Sequence, residues 1–154
     1  MNAADIQQLI DNPDLGHGGY IGETIVGQLP GMHKCHPHFK YDFLFVPMQS
    51  RIEVKWRRPS EIWSAGGCTY NVGWSNIRPE RFDYVILSTF HDGKLYLWLL
   101  PSVTAAALRT RAMNGTIHYT LPPFYRTRTL KAKRLDLFSI TFDELHSRCL
   151  KGTI

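Results

Sequence analysis

The chain has 154 residues, 44% hydrophobic and 20% charged, a balance that fits one soluble domain with a single core. Its net charge of +5 is uneven: residues 1–100 carry nine Lys/Arg against ten Asp/Glu, and residues 101–154 nine against three. Such an excess suits a polyanion such as DNA or RNA as well as it suits a solvated face. Met1–Asp11 is acidic and only briefly apolar, and no run is long enough to span a bilayer, so neither a signal peptide nor a membrane role is expected.

Asn2 caps a predicted helix over Ala3–Ile10, which Asp11-Asn12-Pro13 ends. After a glycine-rich link, Ile21, Ile25, Val26 and Leu29 fall on one helical face, and Pro30-Gly31 stops the pattern. The link lacks a preceding strand and a Gly-Lys-Ser/Thr, so it is no nucleotide-binding loop. His33-Lys34-Cys35-His36-Pro37-His38 is dense in soft ligands. Neighbouring Cys35 and His36 cannot easily close a tetrahedron, however, and no second pair stands at zinc-finger spacing. A loop free to touch phosphate is expected here rather than structural zinc. Cys35, Cys68 and Cys149 are odd in number and far apart, which argues for reduced thiols in an intracellular compartment.

Two strands are predicted at 40–46 and 51–57, joined by the polar turn Pro47–Ser50. Both are almost wholly apolar or aromatic, the pattern of strands buried on both faces. Into that setting the chain places Asp42, Glu53 and Lys55. Alternation puts Glu53 and Lys55 on one face and Ile52 and Val54 on the other, and hairpin pairing brings Asp42 near. Two carboxylates and a lysine at a sheet rim cost desolvation energy unless they bind something charged. A hard divalent cation answers that need, because it takes oxygen ligands.

Arg57-Arg58-Pro59 follows, then a glycine-rich connection, Ser60–Glu80, with Trp63, Tyr70 and Trp74 and no clear helix. These aromatics and the nearby Arg78 and Arg81 suit base stacking or groove contacts, while the tryptophans suit the core equally well. Phe82–Ser88 is a third strand, and Asp92-Gly93 turns it into a fourth, Lys94–Leu100. Ser102 caps a predicted helix over Val103–Met113, stopped by Asn114-Gly115, and Gly115–Leu121 reads as a strand. Beyond Pro122-Pro123 comes a basic arm holding Arg126, Arg128, Lys131, Lys133 and Arg134. A capping box at Thr141–Glu144 then opens a last helix to about Leu150.

Asp42, eleven positions before Glu53 in Glu53-Val54-Lys55, resembles the PD-(D/E)xK signature of the restriction-endonuclease-like nuclease superfamily, with Tyr41 in place of the proline. Gly22-Glu23 with Val26 resembles the first core helix of Holliday-junction resolvases and their relatives. Arg81–Ile86 resembles the third core strand of many members. The order of elements matches an α/β fold with an αβββαβ core, a central mixed sheet flanked by helices, over about residues 20–121. Residues 122–154 complete the single domain.

The resemblance implies a Mg²⁺-dependent DNA endonuclease, Mn²⁺ substituting, which leaves a 5′-phosphate and a 3′-hydroxyl. Asp42 and Glu53 would bind the metal, with the Val54 carbonyl as a further ligand. Lys55 would orient or deprotonate the attacking water or neutralise the phosphate, and Glu23 would join the site unless it is an exposed helix glutamate. Arg57, Arg58, Arg78, Arg81 and the basic arm would hold double-stranded DNA. Cutting both strands implies a homodimer or homotetramer. Small restriction enzymes, homing endonucleases and resolvases all fit this reading. The alternatives are a non-cleaving nucleic-acid-binding or assembly subunit of the same fold and an unrelated α/β protein.

Overall fold

The computed structural model describes residues 1–12, 19–111, 114–122 and 130–154, residues 130–132 by backbone only. Two helices open the chain, α1 (Ala3–Asp11) and α2 (Gly19–Val26). Asn2 and Asp5 cap α1 reciprocally, each side chain accepting the other's backbone N–H at 2.9 Å, so two donors that helix geometry leaves free are satisfied. Then come β1 (Met32–Lys34), β2 (Phe43–Phe45) and β3 (Ser50–Trp56), with a 3-10 turn, Val46–Met48, between the last two. β4 (Ser60–Ser64) and β5 (Gly67–Trp74) form a hairpin. After them come β6 (Tyr84–His91), β7 (Lys94–Pro101), α3 (Ser102–Leu108) and β8 (Ile117–Thr120). The chain closes with α4 (Leu130–Asp136), β9 (Ser139–Ile140) and α5 (Phe142–Leu150).

The strands sort into a central mixed sheet, β1-β2-β3-β6-β7-β9, and a smaller antiparallel sheet, β4-β5-β8. β3 and β6 run parallel and the other neighbours antiparallel. A parallel pair needs a long crossover. Here the β4–β5 hairpin forms much of it. Asp83 fixes the register of the pair: its carboxylate accepts the Arg51 backbone N–H at 2.7 Å and holds the Arg51 guanidinium at 2.9 and 3.1 Å.

β6 is covered on both sides, which is why it reads as a continuous apolar run. Val85 and Leu87 pack with Trp74, Ile117 and Leu108, towards the small sheet and α3. Ile86 packs with Val26, Ile52, Val54 and Leu145, under α2 and α5. β3 departs from the expected burial on both faces. Its Ser50, Ile52, Val54 and Trp56 are buried, whereas Arg51, Glu53 and Lys55 are only half-buried. α2 covers one face closely, because Gly22 has no side chain: a Cβ there would lie 3.0 Å from both Trp56 Cβ and Val54 Cγ1. The other face of β3 borders a cleft.

Four local expectations change. β1 begins inside the histidine-rich segment read as a loop. Ser60–Glu80, read as an irregular connection, holds the β4–β5 hairpin, whose two-residue turn is Ala65-Gly66. α3 stops at Leu108 because Arg109 turns extended (φ −66°, ψ 156°), and Pro101 rather than Ser102 stands at its cap position. β8 pairs with β5 in the small sheet, leaving the outer side of β7 to β9. Arg126, Arg128 and the Lys131 side chain lie outside the described residues. Among those residues, no helix is long and apolar enough to cross a membrane.

Candidate active site

Asp42 stands one residue before β2. Extending the β2–β3 register, in which Phe43 faces Ile52, by one step sets Asp42 opposite Glu53. Its backbone is held at both ends: its N–H donates to the Ile52 carbonyl at 3.0 Å, and its carbonyl accepts the Cys35 N–H at 2.9 Å. The strand β2 has ended at this point, so the Val54 N–H has no ladder partner on that side, and Asp42 Oδ2 accepts it at 2.7 Å. Asp42 Oδ1 has no hydrogen-bond partner among the described residues.

Glu53 and Lys55 occupy the same face of β3, as the strand period requires. Lys55 Nζ lies 2.6 Å from Glu53 Oε1, with both side chains about four-fifths covered, at 21% and 16% exposure. Glu23 comes from α2 and meets Lys34 of β1 at 2.9 Å. The Glu23 carboxylate holds the Lys34 ammonium above its ordinary pKa. Lys34 also stands over the Tyr20 ring, 5.6 Å from its centroid.

Asp42, Glu53, Lys55 and Glu23 line one cleft of about 790 Å³. Glu23, Asp42, Glu53, Val54, Lys55, Arg57 and Arg58 form one part of its wall, and Trp74, Ser75 and Asn76 form another. Burial raises the Asp42 carboxyl from 3.8 to about 6, and the neighbouring Glu53 and Glu23 carboxylates add to the rise. The Val54 N–H and the Lys55 ammonium offset part of it. A carboxylate held at such a cost is characteristic of functional sites.

Among the described residues, no three His, Cys, Asp or Glu side chains are arranged around one ion position. Two carboxylates facing each other across β2–β3 remain. His36 and His38 stack on one another with centroids 4.6 Å apart.

The basic residues divide. Arg57 is exposed at the cleft, whereas the Arg58 guanidinium donates to the Ile10 carbonyl at 3.0 Å and ties α1 to the end of β3. Arg78 Nε donates to Asn76 Oδ1 at 2.8 Å. Arg81 lines a separate hollow, and Lys133 and Arg134 are exposed on α4 without lining the cleft. Trp74 is fully buried and donates Nε1–H to the Ser88 carbonyl at 2.9 Å, so it belongs to the core. Trp63 is 73% exposed.

Lys34, Ser75 and Asn76 escaped the sequence reading. Lys34 was hidden among histidines, and Ser75-Asn76 carries only one weak sign. Asparagine tolerates the left-handed backbone that Asn76 adopts, at φ 60°.

No protein-family model matches the chain. No curated protein matches it either. Among solved structures, the bacterial homing endonuclease I-Ssp6803I has a similar fold, with a TM-score of 0.52 over 88% of this chain and 93% of that one, at 14% identity. At that identity the likeness concerns the fold.

Proposed function

We propose that this chain is a Mg²⁺-dependent DNA endonuclease of the PD-(D/E)xK kind. The observation that carries the reading is the convergence of Asp42, Glu53 and Lys55 in one half-buried cleft, two carboxylates and one lysine. The fold shared with a homing endonuclease supports it.

Asp42 and Glu53 would hold the ion, with the Val54 carbonyl beside them and Mn²⁺ as a substitute. Two carboxylates fit magnesium, which keeps several waters and is bound by one or two carboxylates together with substrate phosphates. Asp42 Oδ1 is open for that purpose, because Oδ2 is engaged with Val54. Bound there, the ion supplies an acidified water and positive charge at the phosphate.

The other steps belong to the chain. Lys55, held against Glu53 at 2.6 Å, directs its ammonium into the cleft, where it positions the attacking water and neutralises charge on the phosphate. Glu23 is tied to Lys34 and serves from the helix side of the cleft. Arg57 attracts the DNA backbone at the cleft mouth. The scissile bond breaks to leave a 5′-phosphate and a 3′-hydroxyl. One cleft cuts one strand, so a double-strand break requires two copies, as a homodimer or homotetramer.

The test is incubation with supercoiled plasmid in Mg²⁺, Mn²⁺, Ca²⁺ or EDTA. Nicked or linear product should form with Mg²⁺ and Mn²⁺ only, and Glu53→Gln should still bind DNA but leave it uncut in Mg²⁺ and Mn²⁺. Binding by the wild type with no cutting in either metal overturns the nuclease and leaves a nucleic-acid-binding subunit.

A further inference from the structure

A second hollow, of about 550 Å³, lies beside the cleft. Its wall comes from Phe39, Lys40 and Tyr41 in the β1–β2 connection, Arg51 on β3, and Arg81 at the end of the 3-10 turn Pro79–Arg81. We propose that this hollow binds one nucleotide of the strand being cut, next to the scissile phosphate. Lys40 and Arg81 take its phosphate, and its base packs against Phe39. The inference rests on the DNA reading above and adds to it a subsite.

Charge supports this occupant. Arg51 is spent on Asp83 and acts as a wall. Lys40 and Arg81 have no carboxylate partner among the described residues, so two cations face the hollow uncommitted. His38 and Glu80 complete the lining, Glu80 being its one carboxylate. Two free cations against one exposed carboxylate favour an anion.

The aromatics point the same way. Phe39 is 56% exposed, and its ring lies 5.6 Å from that of Tyr41. An exposed aromatic beside free cations is the pairing that single-stranded nucleic acid uses, the base stacking and the phosphate neutralised. The volume also lies within the range of small-ligand pockets.

Position decides which nucleotide it is. Tyr41 directly precedes Asp42. Arg51 precedes Glu53 by two residues on the same strand face, about 7 Å away at strand spacing. One face of β3 thus runs from the hollow past Glu53 and Lys55, with Arg57 beyond at the cleft mouth. A DNA strand crossing the cleft has this hollow beside its scissile bond.

The experiment uses the full chain and a single-stranded oligothymidylate carrying one 2-aminopurine, in Ca²⁺. Wild type should quench the probe, and Phe39→Ala should restore its fluorescence. Lys40→Ala/Arg81→Ala should weaken binding about tenfold and reduce the salt slope by about 0.7, the value for one phosphate on a single strand. If folded Phe39→Ala and Lys40→Ala/Arg81→Ala bind and quench like wild type while wild type still nicks plasmid in Mg²⁺, the subsite falls and the nuclease stands. If Phe39→Ala changes the sedimentation coefficient with DNA binding unaltered, the patch is a protein contact and the subsite falls. No binding of the oligonucleotide by a wild type that nicks plasmid removes the subsite alone, and no binding of either oligonucleotide or plasmid removes both.

Discussion

Asp42 pays for its position. Its carboxyl titrates near 6 in the fold against 3.8 in the open chain. Between those values the folded protein keeps a proton that the unfolded chain releases, so stability is lost as pH rises from about 4 to about 6. The loss is on the order of 3 kcal/mol at neutral pH, a large share of a typical domain's stability. Asp42→Asn keeps an oxygen for the Val54 N–H and removes the charge. It should therefore stabilise the metal-free protein by about 1–2 kcal/mol at pH 7.5 and by little at pH 4, measured by urea unfolding. Mg²⁺ at a hundred times its Kd should add about 2.7 kcal/mol to the wild type and nothing to Asp42→Asn. Equal stabilisation of both would place the ion elsewhere. At limiting Mg²⁺, cleavage should also decline as pH falls, because the proton competes with the ion for Asp42.

At the scale of elements, the cleft depends on how closely α2 lies on β3. Gly22 permits the approach, with Val54 and Trp56 at 3.0 Å from the position of an added Cβ, whereas at Gly19 nothing lies within 4 Å. Gly22→Ala should cost about 1–3 kcal/mol through overpacking, and Gly19→Ala should be neutral or slightly stabilising. Thermal melts of the two variants compare them directly. An equally harmless Gly22→Ala would mean that the helix shifts freely on the sheet. Two of the elements that escaped the sequence reading share one property. β4 is exposed along its whole length, and β1 is partly or wholly exposed, so neither carries the apolar alternation that marks a half-buried strand. Each exists because a partner strand orders it, β5 for β4 and β2 for β1.

Across the whole molecule, the basic excess is only partly available to a polyanion. Arg109 donates to the Ile77 carbonyl at 2.8 Å, Arg148 meets Glu144 at 2.6 Å, and Arg58 is tied to α1. Arg57→Ala should therefore lower the salt slope of duplex binding by about 0.9. Arg58→Ala should lower the melting temperature and leave the slope nearly unchanged. A reversal of that pattern would mean that Arg58 leaves Ile10 to meet DNA.

The same division separates what the amino-acid order determined from what depended on the folded whole. Placing Glu53 and Lys55 on one face of a strand needed only the period of two, a property of the backbone. A short polar turn between apolar runs was enough to bring Asp42 alongside, and Asn2 and Asp92-Gly93 announced a helix cap and a hairpin by local chemistry. The sequence left open which face of β3 would meet solvent, that Trp74 would be core and Trp63 surface, that Lys34 would hold Glu23, and that β8 would join the smaller sheet. Each of these depends on contacts between residues far apart in the chain, and burial there is set by whatever packs against a face rather than by the residues that form it.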